Sequence, residues 1–127
     1  MPRKTIATDR APAAIGPYSQ GVVAGGFVFT AMQIALDPAT GQLVGDDAPT
    51  QVRQCLRNIE AILTAAGAGL ADVVKVTVYL TDLAAFAPVN DVYGTFFTAE
   101  PPARAVVGAS ALPRGAQVAV EAVATVG

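Results

Sequence analysis

Val73-Val74-Lys75-Val76-Thr77-Val78-Tyr79-Leu80-Thr81 is the stretch that decides the fold. β-Branched residues crowd it, and its side chains alternate. Val74, Val76, Val78 and Leu80 fall on one side, Lys75, Thr77 and Tyr79 on the other, the period of a strand with one face in a core. Before it, Val52, Cys55, Leu56, Ile59, Ile62, Leu63 and Ala66 recur every three or four residues as one helical stripe. Arg53, Arg57 and Glu60 lie off that stripe, and Gly67 supplies a C-terminal stop. After it, Phe86, Val89, Tyr93, Phe96 and Phe97 predict a second amphipathic helix, in which Pro88 is tolerable only in the first turn. A strand between two one-sided helices needs a sheet for both helices to cover.

The rest of that sheet is sought in the flanks. Val22-Val23-Ala24 and Phe27-Val28-Phe29-Thr30 read as strands joined by Gly25-Gly26, two residues that accept positive φ in a tight turn. Asp37-Pro38-Ala39-Thr40-Gly41 reads as a surface turn. Ala103 to Ala109 and Gln117 to Ala124 are expected to form a C-terminal hairpin around Leu112-Pro113-Arg114-Gly115. The order β-β-β-α-β-α-β-β predicts an α+β domain, one mixed sheet with two helices on one face. Both alternating sets of the last two strands are rich in Val and Ala, so the helix-free face is expected to be apolar and to be covered by self-association. Closed rotational symmetry is the common form, and three sheets facing inward would make a barrel-like centre.

With 127 residues, 53% of them hydrophobic and 14% charged, the chain is expected to be a single domain over residues 1–127. No apolar run reaches the roughly 18 residues of a membrane span, and Met1 to Ile6 is not followed by a secretory h-region, so no membrane association and a cytoplasmic location are expected. The single cysteine, Cys55, excludes an internal disulfide. The absence of histidine removes the usual zinc sites and the Ser-His and Cys-His nucleophile systems. Eight Lys/Arg against ten Asp/Glu, without a basic cluster, gives nucleic acid no electrostatic footing.

Arg104 stands out in Pro101-Pro102-Ala103-Arg104-Ala105-Val106-Val107, with no acid within three residues. Its planar fork of donors suits a small carboxylate, and a structural ion pair or a snorkelling surface residue is the competing reading. Tyr18, in Gly16-Pro17-Tyr18-Ser19-Gln20-Gly21, either walls a pocket or packs against its own loop. Asn90 either faces a cleft through its amide, caps its helix or lies exposed to solvent. Cys55, on the apolar stripe with no cationic neighbour, reads as a core residue. Glu121 interrupts an apolar strand and is either a salt-bridge partner or a base.

The ordered set of segments resembles the RidA/YjgF family almost end to end. The matching pieces are Ala11 to Gly21, Gln33-Ile34, Asp37-Pro38 with Thr40-Gly41, and Asn58-Ile59 with Ala65-Ala66-Gly67. They continue through Val74 to Leu80, Val89-Asn90 with Tyr93, Phe96-Phe97, Pro102-Ala103-Arg104, Leu112-Pro113 and Glu121-Ala122. The resemblance implies a chorismate-mutase-like α+β subunit of a homotrimer with ligand clefts between subunits. It also implies hydrolysis of reactive 2-imino acids, or their enamine tautomers, to 2-oxo acids and ammonia without metal or organic cofactor. By the same resemblance Arg104 is the carboxylate anchor, and Tyr18, Ala31, Met32, Asn90 and Val106 line the cleft.

Four positions, Ala31, Met32, Val106 and Ala119, depart from the family pattern. Thr30-Ala31-Met32 stands where the active branch has Thr-Ser-Gly, Val106 where it has a cysteine, and Ala119 where it has the glutamate thought to direct the attacking water. Glu121 matches a different, more structural family glutamate. Two functions are therefore weighed: an imine deaminase relying on Arg104 and on backbone groups near Ala31 and Met32, and a trimeric binding protein for 2-oxo acids that has lost that chemistry. An RNA-directed role, a label some relatives have carried, is disfavoured by the charge balance.

Overall fold

A computed structural model describes residues 2–127. Its strands are β1 (Lys4–Ile6), β2 (Gly21–Ala24), β3 (Phe27–Thr30), β4 (Val73–Leu80), β5 (Ala103–Gly108) and β6 (Val118–Thr125), and its helices α1 (Ala48–Ala65) and α2 (Phe86–Phe96). The strands form one sheet in the order β1-β2-β3-β6-β4-β5, in which β4 and β5 are parallel and every other neighbouring pair antiparallel. Both helices pack on one face, giving the expected α+β layers.

Helix α1 starts one turn ahead of its apolar stripe. Asp47 Oδ1 accepts a 2.8 Å hydrogen bond from the Thr50 amide, and Pro49 occupies the first turn, where its missing N–H costs nothing. The whole stripe from Val52 to Leu63 is buried against the sheet. At the other end Gly67 takes φ 85°, and the Ala68 amide reaches back to Leu63 O at 2.8 Å, closing the helix as its glycine predicted. The Gly25-Gly26 turn holds β2 and β3 in register, Ala24 opposite Phe27. Pro88 lies in the first turn of α2.

Two expectations are corrected. The register slips between Val73 and Lys75, a β-bulge, so Val73 takes the buried side while Val74 is 42% exposed; Val76, Val78 and Leu80 lie under the helices as expected. The C-terminal hairpin does not form, because β4 lies between β5 and β6 and pairs with both. Helix α2 acts as a crossover that brings β5 back parallel to β4 at the sheet edge, and residues 109–117 become a long connection around the sheet end.

On the helix-free face Phe27, Phe29 and Val107 are each 40–46% exposed. Strand pairing sets Lys75, Thr77, Tyr79 and Glu121 on the same face, so a polar group interrupts the apolar surface.

Candidate functional site

Buried amide side chains fix the loops around the site. Gln20 Nε2 donates to the carbonyls of Thr8, Ala11 and Pro12 at 3.0, 3.2 and 2.7 Å, and its Oε1 accepts from the Thr8 amide at 2.7 Å. That ties the 8–20 loop, with Tyr18 near its end, to the start of β2. Asn58 on α1 donates to Ile34 O and Leu36 O, and Gln51, two turns earlier on the same face, donates to Gly45 O and accepts from the Gln117 amide. Each amide is almost wholly buried, where a polar group is tolerated only with its partners in place. Sequence reasoning gave these three residues no role. The signal was present: Gln51, Cys55, Asn58 and Ile62 lie on one helical stripe, and an amide on such a stripe needs a partner.

Arg104 projects from the edge strand β5 on the helix side, since it pairs with buried Val76. Its Nη1 donates to Asn90 Oδ1 at 2.7 Å. The guanidinium carbon lies 4.8 Å from the Tyr93 ring centroid and 5.4 Å from that of Phe86, within range of cation–π attraction. Asn90 therefore does not cap α2, and Arg104 is held by a neutral amide and two aromatic faces instead of an acid. Val106 lies two residues along the same strand face, half-buried. Burial pushes the Tyr93 phenol above its ordinary value, with Arg104 acting in the opposite direction.

Tyr18, Ala31 and Met32 line a different place, a cavity of about 660 Å³ walled mainly by apolar groups including Pro12, Ile15 and Ile34. The Tyr18 ring is half exposed, and its hydroxyl oxygen accepts a long 3.4 Å contact from the Ile15 amide. The Ala31 amide is already used, donating to Gln20 O at 2.8 Å. The six residues singled out from sequence thus fall into two groups within one subunit: Arg104, Asn90 and Val106 at the β5 edge, and Tyr18, Ala31 and Met32 at the cavity. Arg114 also lines the cavity, although the sequence marked it only as part of a turn.

Ala119 is fully buried and paired with Tyr79, whose hydroxyl donates to Glu121 Oε1. That bond and the adjacent negative charge raise the Tyr79 pKa. Glu121 is thus a hydrogen-bond partner of a phenol and forms no salt bridge across the sheet among the described residues. Cys55 is fully buried, with its thiol 3.7 Å from Val118 O, and burial pushes its pKa up, as a core residue requires. No cluster of three or more His, Cys, Asp or Glu side chains converges as a metal site among the described residues. None of the described helices is long and apolar enough to cross a membrane.

Residues 8–126 match the family model described as endoribonuclease L-PSP. The chain is 50% identical over 124 residues to the 2-iminobutanoate/2-iminopropanoate deaminase of Salmonella typhimurium, covering 95% of this chain and 96% of that one. Relatives of like identity from Pyrococcus carry only the designation RutC family protein. Among solved structures, the yjgF gene product of Escherichia coli superposes with a TM-score of 0.92 at 47% identity, covering 96% of this chain and 98% of that one. Escherichia coli TdcF with bound serine superposes at 0.93 and 44% identity, covering 98% and 99%.

Proposed function

The chain belongs to the RidA/YjgF family, and on that premise we propose that it hydrolyses small 2-imino acids, or their enamine tautomers, to 2-oxo acids and ammonia at a cleft between subunits of a homotrimer. The observation that carries this reading is the setting of Arg104. A guanidinium oriented by Asn90 Oδ1 and two rings, with no acid bonded to it, keeps its full charge for an incoming carboxylate. The deaminase name of a relative 50% identical, and the serine bound to TdcF, support a small amino-acid-derived ligand.

The division of the site residues supports a shared cleft. Arg104, Asn90 and Val106 of one subunit would meet the Tyr18–Met32 wall of its neighbour when the exposed Phe27, Phe29 and Val107 faces are buried together. Arg104 would hold the carboxylate and fix the C=N carbon within reach of a water. Addition of that water gives a carbinolamine, and its collapse expels ammonia and leaves the 2-oxo acid. Because the Ala31 amide is engaged by Gln20, Met32 is the backbone donor left for the water or the developing charge. Holding a reactive imine in one orientation supplies rate without a side-chain base.

A second reading, a trimeric protein that binds 2-oxo acids without turning imines over, is favoured by the buried Ala119 methyl at the position where the family carries its water-directing acid. Imines generated in place by an amino-acid oxidase, with semicarbazide as competitor, separate the two. Faster 2-oxo acid formation that disappears in Arg104→Ala supports the deaminase. A rate equal to the protein-free blank over several amino acids, with Arg104-dependent 2-oxo acid binding retained, supports the binding protein.

A further inference from the structure

The cavity beside Tyr18 and Met32 holds a cation to which no role has been assigned. Arg114 lines it together with Pro12, Ile15, Tyr18, Met32 and Ile34, and is the only formally charged group among its lining residues. Its backbone is unusual: at φ 62° and ψ 19° it is the only non-glycine residue with positive φ among the described residues, in the turn Pro113–Gly115. A left-handed arginine is disfavoured locally, so its surroundings must hold it there. Downstream, the Gln117 amide is bonded to Gln51 Oε1 at 2.8 Å and Gln117 Nε2 to Asp46 O at 2.7 Å, which pins the turn to the start of α1. The side chain is steadied by Nη2 donating to Gly41 O at 3.3 Å. That carbonyl is neutral, so the charge is not compensated and the other guanidinium donors remain available.

We infer that Arg114 is an anion-binding residue of this cavity, and that the site prefers 2-imino and 2-oxo acids carrying a second carboxylate over those with a plain alkyl end. This rests on the reading of Arg104 as the anchor of the first carboxylate. An apolar wall with one oriented arginine suits a ligand with a short methylene chain and an acidic terminus: the chain meets Ile15, Met32 and Ile34, and the terminus meets the guanidinium. An alkyl 2-oxo acid gains the wall but leaves Arg114 without a partner.

The test is calorimetric titration with 2-oxoglutarate and 2-oxobutanoate of the wild type, Arg114→Asn, Arg114→Gly and Arg104→Ala. Asparagine and glycine both accept positive φ, so the turn is kept while the charge is lost. The wild type is expected to bind 2-oxoglutarate about tenfold more tightly than 2-oxobutanoate, the scale of one charge-assisted contact. Both Arg114 variants should erase that preference and leave 2-oxobutanoate affinity within about twofold of wild type. Equal affinity of the wild type for the two acids, no binding of 2-oxoglutarate, or the same loss for both ligands in the Arg114 variants would overturn the inference. Arg104→Ala reports separately: unchanged 2-oxobutanoate affinity there sinks the anchor assignment, whatever Arg114 does.

Discussion

Replacing Asn90 tests how far the aim of Arg104 matters apart from its charge. Asn90→Ala removes the 2.7 Å contact from Arg104 Nη1 and leaves the Tyr93 and Phe86 faces in place. A hydrogen bond to a charged group contributes about 1.5–3 kcal/mol when protected. Arg104 is exposed in the single subunit, so about 1 kcal/mol is the fairer figure. At about 1.4 kcal/mol per factor of ten, that is about a fivefold loss in affinity for 2-oxobutanoate and in kcat/KM for its imine. Asn90→Asp should be worse, by about a further tenfold, since its carboxylate would pair with the guanidinium and repel the ligand's own. Calorimetry gives the affinity, the semicarbazide assay the rate, and a urea melt checks that the fold is intact. An Asn90→Asp protein that binds as tightly as wild type would refute the reasoning, because the bonded amide would then have no part in keeping Arg104 free.

Three further outcomes are expected. Ala119→Glu should raise imine hydrolysis, toward the roughly 10²- to 10⁴-fold of a positioned base, as read by initial rates of 2-oxo acid formation. Ile59, fully buried between helix and sheet, should cost about 2–5 kcal/mol as Ile59→Ala in urea denaturation, with an unchanged m-value. Tyr79 has its pKa raised by Glu121, so the folded state holds the phenolic proton more tightly than the unfolded chain. Its contribution is therefore complete below the unfolded tyrosine pKa of about 10 and is lost as pH rises through the folded value. Tyr79→Phe should flatten the fall in denaturation midpoint above about pH 10, and an unchanged slope would contradict the assignment.

Most of the fold was legible because its signals are local. The alternation from Val73 to Thr81 and the stripe from Val52 to Ala66 needed no knowledge of partners, and Gly25-Gly26 and Gly67 marked their turns by the φ they alone accept freely. Partner choice was not local. Nothing in Ala103 to Ala109 says that its neighbour is β4 and not β6; that depends on α2 acting as a crossover, a relation between segments. The bulge at Val74 was hidden because Val73 and Val74 are the same residue type, and the alternation fits either register. In the site, Arg104 and Asn90 were found as single residues, and their 2.7 Å contact is what the fold added. Arg114 was read only as part of a turn, and its place beside Tyr18 and Met32 depends on the path of the long connection between β5 and β6.

The amide clamps described above also bear on how such a cavity can diversify. Gln20 bonds only main-chain atoms of Thr8, Ala11 and Pro12, and the contacts of Asn58 with Ile34 and Leu36 are likewise to carbonyls. A clamp that grips peptide groups is indifferent to the side chains those groups carry. Ile15, Met32 and Ile34 can then mutate, and ligand preference drift, while the loops keep their course, so the molecule separates the residues that select a ligand from those that maintain the architecture.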